Sequence, residues 1–347
     1  MLLSVENLTS RFYLPAGAVH AVERVSFELD SGQSLGVVGE SGSGKTAMVT
    51  SVLRLLPSPG RIVDGNVTFE GQELLGLTEG EIRRIRGGRM ALIPQNPGSA
   101  LNPVLTIGWQ LREALRMHQS LSRSAAEERI VEVLHLAGIP DPRHQLDRYP
   151  HEFSGGMKQR ILIAMGLLNH PALLIADEPT TALDTTMQAK VLELMSDLVD
   201  SFEMALLLIT HNMGVVASVC DRVAVMYAGQ IVEAGPASDL FRAPLHPYTK
   251  LLLRSTPRLD HRRLGLPAIE GKPPNLVGPP SGCSFRDRCP LAEAKCEEQP
   301  PRIEVSEGRF VQCWVAQRNV PEAVQRDGST ATRADALSPT AAAEGEP

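Results

Sequence analysis

The stretch Gly39-Glu-Ser-Gly-Ser-Gly-Lys45-Thr46 leaves few folds open to this chain. An apolar run, Leu35-Gly-Val-Val38, precedes it, and a helix-like run from Ala47 to Leu56 follows. Strand, loop and helix in that order are the context in which G-x-x-x-x-G-K-[ST] cradles phosphate. Gly39, Gly42 and Gly44, with Ser41 among them, let the backbone approach an anion and turn its N–H groups inward. Lys45 is placed to reach β and γ phosphates and the Thr46 hydroxyl to ligate Mg²⁺. The helix starting near Thr46 adds its positive end. A flexible Gly/Ser turn is the bland alternative, but Lys-Thr at a helix start serves no packing purpose.

Further elements follow in order. Asp177 ends the apolar run Leu173-Leu-Ile-Ala, so a carboxylate stands at the C-terminal edge of a sheet, where Mg²⁺ would sit. Glu178 comes next and is placed to act as base for a water attacking a terminal phosphate; by position alone a solvated loop charge remains open. Gln95 follows an expected strand, Met90 to Ile93, in Ile93-Pro-Gln-Asn-Pro97, and His211 follows the expected strand Ala205 to Thr210. Taken singly, such a Gln is more often solvated and such a His structural. Ser154-Gly155-Gly156 opens a helix with Met157-Lys-Gln-Arg160 behind it. A serine cap and two glycines at a helix N-terminus make an anion site.

The chain is long enough for two domains, and its apolar content of 43% with 21% charged residues describes a globular protein. A net charge of −6 argues against a nucleic-acid partner. No uncharged apolar run approaches the ~18 residues that span a bilayer. The segment Met1-Leu-Leu-Ser-Val-Glu6 lacks the basic start of a secretory signal, which predicts a cytosolic chain. Short strands are expected at Leu2 to Val5, Val25 to Leu29, Ser34 to Val38 and Val67 to Phe69. A helical block bearing Ile107 to Met117 and Ala125 to Ala137 then runs to Ile139-Pro-Asp-Pro142. From Leu173 apolar strands, the last at Arg222 to Tyr227, alternate with helices at Met187 to Val199 and Met213 to Val219. That alternation predicts a largely parallel sheet covered by helices. Gly271 to Pro280 is Pro-rich and reads as a linker, and the Ala/Ser/Thr/Glu-rich tail after about Glu322 reads as disordered.

The loop at Gly39, Phe153-Ser-Gly-Gly-Met157, Asp177-Glu178 and His211, in this order, resemble the ATP-binding-cassette ATPases over about Leu2 to Pro236. The family more often has Leu at the position of Phe153, which is not a phosphate contact. The resemblance implies an α/β P-loop nucleotide-binding domain with a mixed-sheet core, an antiparallel β subdomain and a helical subdomain. It implies that Gln95 touches Mg²⁺ and the water, that His211 bonds the γ-phosphate, and that Pro179 with Ala182-Leu-Asp184 forms the loop between active sites. Ser154, Gly155 and Gly156 would reach the ATP of a second cassette, so that two cassettes close head-to-tail. Adenine usually stacks on an aromatic ahead of the first loop; among Phe12, Tyr13 and His20, Tyr13 is chosen.

One cassette excludes the two-cassette translation factors. The interval from Lys45 to Ser154 leaves no room for the long coiled coils of chromosome-structure proteins. What remains is a separate ATPase subunit of a transporter. Gln95-Asn-Pro-Gly-Ser-Ala-Leu-Asn-Pro103, His246-Pro-Tyr-Thr249 and Gly282-Cys283-Ser-Phe-Arg-Asp-Arg-Cys289-Pro290 resemble the oligopeptide, dipeptide and nickel importer ATPases. In that family two related ATPase subunits pair beneath two membrane permease subunits fed by an extracytoplasmic solute-binding protein. This implies a peripheral place at the cytoplasmic face of the membrane and peptide as solute. Nickel or another small solute, or an ATP-binding module that senses iron or oxidants, is the alternative. The chain then divides into a nucleotide-binding domain (1–255, helical subdomain about 97–170), a C-terminal extension (256–320) and a tail (321–347).

Four of the five cysteines, Cys283, Cys289, Cys296 and Cys313, space as C-x5-C-x6-C-x16-C. Zinc sites usually bring paired hooks of closer spacing, and disulfides are uncommon in the cytosol. Four thiolates suit a [4Fe–4S] cluster, which some family members carry; zinc comes second and four metal-free core cysteines third. The surrounding segment has too few apolar residues for a core of its own, and the cluster would staple it. It lies far in sequence from every phosphate-binding motif, so no link to ATP chemistry is expected. Cys220 reads as a small core residue.

Overall fold

A computed structural model of the chain describes residues 1–181, 183–255, 269–278, 281–318 and 326–327. Apart from 326–327, the tail from 321 lies outside the described residues, as do Ala182 and Pro279-Pro280. The described strands are β1 (Leu3–Leu14), β2 (Gly17–Leu29), β3 (Ser34–Val38), β4 (Gly60–Phe69), β5 (Gln72–Glu73), β6 (Met90–Ile93), β7 (Leu173–Asp177), β8 (Ala205–Thr210), β9 (Arg222–Tyr227), β10 (Gln230–Pro236), β11 (Ile303–Ser306), β12 (Arg309–Val311) and β13 (Arg326–Asp327).

They form two sheets. An antiparallel one has the order β2-β1-β4-β5, and a larger one the order β13-β11-β12-β10-β9-β3-β8-β7-β6. In the larger sheet β9, β3, β8, β7 and β6 are parallel, whereas β10, β12, β11 and β13 add antiparallel pairs. The sheet is therefore mixed. Its parallel strands are nearly continuous apolar runs because both faces are covered: every residue of β3, β7 and β8 is buried. One face packs on the antiparallel sheet and the helix Lys45–Val52. The other packs on the helices Ile107–Arg116, Arg123–Leu136, Gly155–Leu167 and Thr185–Phe202.

β1 and β2 run much longer than the expected Leu2 to Val5 and Val25 to Leu29. Register shifts between Val5 and Leu8, Leu8 and Ser10, and Ser10 and Arg11 interrupt β1. Each shift breaks the period-2 alternation by which a strand is recognised.

The Pro-rich stretch does not act as a free linker over its described part. His20 N–H donates to Leu276 O (2.8 Å) and Gly278 N–H to Ala18 O (2.9 Å), so the segment lies along β2. The cysteine-bearing segment also borrows a core. Phe285 is 1% exposed within the main apolar cluster, and its ring packs against Tyr227 (5.1 Å), Tyr248 (5.3 Å) and His246 (6.0 Å). Among the described residues no helix is long and apolar enough to cross a membrane.

Candidate functional site: a phosphate loop facing a paired carboxylate

β3 ends on Val38, the loop begins at Gly39, and it turns into the helix at Lys45. Gly44 caps that helix at φ +103°, where a Cβ would sit 2.2 Å from Ala21 O. Only glycine tolerates both demands. The Lys45 ammonium donates to Gly39 O (2.9 Å) and Glu40 O (3.0 Å). Burial lowers its pKa, against the opposing pull of Glu178, Asp177 and Glu40. A cation with so few water contacts strongly favours an anion brought to it.

Asp177 is buried at the end of β7, and its Oδ1 has no hydrogen-bond partner. Burial raises its carboxyl pKa, while a hydrogen bond from the exposed Thr46 side chain opposes the rise. A buried, unpartnered carboxylate oxygen beside a hydroxyl fits a divalent cation, which prefers such hard oxygen donors.

Glu178 adopts φ +45°, a left-handed backbone uncommon outside glycine. Its Oε2 accepts from Gln95 Nε2 (3.0 Å) and Thr181 Oγ1 (2.9 Å), and His211 Nδ1 lies 3.4 Å away. Its Oε1 lies 4.0 Å from Lys45 Nζ. The structure therefore gathers Lys45, Thr46, Gln95, Asp177, Glu178 and His211 at the C-terminal ends of β3, β6, β7 and β8. This arrangement can hold a triphosphate and a cation beside a carboxylate able to take a proton. Thr181 is a member that sequence reasoning did not single out.

Ser154 takes no part in that group. Its Oγ accepts the Met157 N–H at the start of the helix Gly155–Leu167. Ser154 and Gly155 are exposed, and Gly156 is buried against Met187. The helix N-terminus therefore opens to solvent. Tyr13 is 46% exposed, with the Arg61 guanidinium 5.8 Å over its ring. His20 is buried and its Nδ1 is engaged by Glu23 (2.9 Å).

All five cysteines are free thiols. Burial raises the pKa of Cys283 to about 11, and the charges of Cys313, Cys296 and Cys289 push the same way. Cys289 and Cys313 are raised by burial too. Cys283 N–H donates to Cys296 O (2.9 Å), which brings those two residues together, and the segment supplies four thiols in all. That donor set suits a metal centre, yet among the described residues no group of three or more His, Cys, Asp or Glu is drawn to metal-binding spacing. Cys220 is a buried residue whose thiol is pushed up to about 12 by burial.

The cysteine segment is not remote from the nucleotide loop. Arg288 holds the Glu40 carboxylate with both terminal nitrogens (2.6 and 3.0 Å), and Glu40 N–H donates to Tyr248 Oη (2.9 Å). The motifs around His246 and Cys283 were visible in the sequence, but nothing local tied them to Glu40.

Residues 22–181 match the family described as ABC transporter, and residues 232–296 that described as oligopeptide/dipeptide transporter, C-terminal region. The Bacillus subtilis dipeptide transport ATP-binding protein DppD is 47% identical over 325 residues, 93% of this chain and 97% of that protein. The Salmonella typhimurium oligopeptide transport ATP-binding protein OppD is 46% identical over 314 residues, 90% and 93% of the two chains. The ATP-binding cassette MJ0796, solved as a dimer in a post-hydrolysis state with ADP and Pi, superposes with a TM-score of 0.62 at 24% identity. That match covers 68% of this chain and 99% of the other, and it establishes the cassette fold.

Proposed function

The chain belongs to the ATP-binding-cassette ATPases of oligopeptide and dipeptide transporters, and from that premise we propose that it hydrolyses ATP to drive peptide import across a membrane. The observation that carries the reading is the Glu178 carboxylate, hydrogen-bonded to Gln95 and flanked by Lys45 and His211. Lys45 and the inward N–H groups of the Gly39–Thr46 loop neutralise the β and γ phosphates. Asp177 and Thr46, with Gln95, hold Mg²⁺, which when bound spreads the charge of the leaving phosphate. Glu178 orients the attacking water and takes its proton, and His211 steadies the γ-phosphate. Tyr13 stacks on adenine.

A second cassette, a related but different ATPase subunit, completes each site through its own serine–glycine helix terminus. Ser154, Gly155 and Gly156 do the same for the partner's ATP. The solvent-facing end of that helix and the dimeric state of the MJ0796 cassette support this reading. Two membrane permease subunits and an extracytoplasmic solute-binding protein complete the importer, with this chain peripheral at the cytoplasmic face. Residues 1–255 act as the nucleotide-binding domain and 256–320 as an extension. In that extension Cys283, Cys289, Cys296 and Cys313 hold a [4Fe–4S] cluster; four thiols without the closely paired hooks usual for zinc support this reading.

The test is peptide-dependent growth. A strain lacking this chain should lose growth on di- or oligopeptides as amino-acid source and keep normal nickel uptake. Lost nickel uptake with intact peptide use would make nickel the solute. Loss of neither, with ATP binding altered by cluster oxidation, would favour the sensor.

A further inference from the structure

Every polar group of Glu40 is claimed. Its N–H donates to Tyr248 Oη (2.9 Å), and its carbonyl accepts from Lys45 Nζ (3.0 Å). Its carboxylate takes a two-pronged hold from Arg288 Nη1 (2.6 Å) and Nη2 (3.0 Å). Lys45 belongs to the nucleotide site, whereas Tyr248 and Arg288 come from the C-terminal part of the chain.

Arg288 is itself tightly fixed. Its side chain is 4% exposed; Nε donates to Glu270 O (3.0 Å), Nη2 to Ile269 O (3.3 Å) and Nη1 to Tyr227 Oη (3.2 Å). Tyr227 and Tyr248 pack ring to ring at 4.6 Å. A planar guanidinium held on all its edges is a rigid fork rather than a mobile surface charge.

Electrostatics gives this arrangement a purpose. Glu40 puts a carboxylate on the loop that must receive a polyanion, and like charges at close range disfavour each other. The guanidinium cancels that charge and fixes the backbone from which Lys45 is tethered. We infer that Arg288 is a positioning residue of the phosphate loop: through Glu40 it neutralises and shapes the loop that takes MgATP, so the C-terminal extension is part of the nucleotide site. This rests on the ATPase reading of the site above and adds a residue to it.

The experiment titrates the full-length chain with MgADP and MgATP and measures steady-state hydrolysis in the assembled transporter. Arg288→Ala should weaken nucleotide binding about 5–150-fold, the usual size of coupling between linked sites. It should raise KM for ATP by a similar factor with kcat changed little, because Glu178 and Gln95 are untouched. Adding Glu40→Gln to Arg288→Ala should restore most of the lost affinity, since the charge that needed cancelling is gone. A merely structural role would not give that rescue. Should Arg288→Ala fail to fold, Arg288→Lys serves: it keeps the charge and loses the fork, and should show a smaller loss in the same direction. Wild-type affinity in the Arg288 variants, or no recovery in the double variant, overturns the inference. A wild-type chain that binds neither nucleotide overturns the ATPase reading as well.

Discussion

Gln95 Nε2 donates to Glu178 Oε2 at 3.0 Å, joining the loop after β6 to the residue that follows β7. The same oxygen accepts from Thr181 and lies near His211. A single carboxylate therefore ties its own loop, through Thr181, to the segments that follow β6 and β8.

Glu178→Gln removes the base and keeps the shape. Hydrolysis should fall about 10²–10⁴-fold, the usual loss for a general base. ATP affinity should hold, because Lys45, Thr46 and Asp177 are untouched. Turnover assays with parallel ATP titration check this; near-normal turnover would remove Glu178 from the catalytic role.

Ser154→Arg replaces a helix N-cap by a bulky cation that opposes the helix dipole. The variant should abolish hydrolysis at the site built on the partner cassette's phosphate loop. Photocrosslinking of labelled ATP, followed subunit by subunit, reads it. Undiminished turnover at the partner's loop would mean the cassettes do not pair head-to-tail.

His246 is fully buried beside Phe285; its Nδ1 accepts the Tyr248 N–H (3.0 Å), and burial holds its pKa at about 3. An ordinary imidazole titrates near 6.5. Between those values the unfolded chain binds a proton that the folded chain refuses. Stability from this group is therefore complete above about pH 6.5 and falls as pH drops, by about 1.4 kcal/mol per unit. Glu233, whose carboxyl is raised by burial, works in the opposite direction over its own range. His246→Asn keeps an acceptor for Tyr248 and cannot titrate, so its acid limb should be shallower than wild type. Equal slopes in denaturant unfolding from pH 7 to 4.5 would contradict it.

Prepared without oxygen, the chain should hold about four irons, as a cysteine-ligated [4Fe–4S] centre requires. Cys289→Ser should lose them. Sequence distance alone predicts unchanged ATP binding in that variant, but Arg288 adjoins Cys289 and grips Glu40. Weaker MgATP binding is therefore expected along with the lost iron. Metal and sulfide analysis decides the first part: one zinc and no iron would make this a zinc module, and no metal would leave four core thiols.

Where structure is encoded within a few residues, the chain states it openly. β3, β6, β8, β9 and the helix Met213–Val219 begin and end where apolar runs and turn residues place them. The glycine pattern at Gly39 to Gly44, the carboxylate pair after an apolar strand, and the serine cap at Ser154 carry their geometry locally. The full lengths of β1 and β2 were hidden because bulges break the period-2 signal. What only the tertiary structure decided is which distant segments meet. Glu40 and Tyr248 are 208 residues apart, and Glu40 and Arg288 are 248 apart. Both pairs meet because β10 and β12 carry the C-terminal segment onto the core sheet and Phe285 buries itself against Tyr227. Such contacts follow from complementary shape and charge between elements that fold separately in sequence, and they leave no periodicity along the chain to announce them.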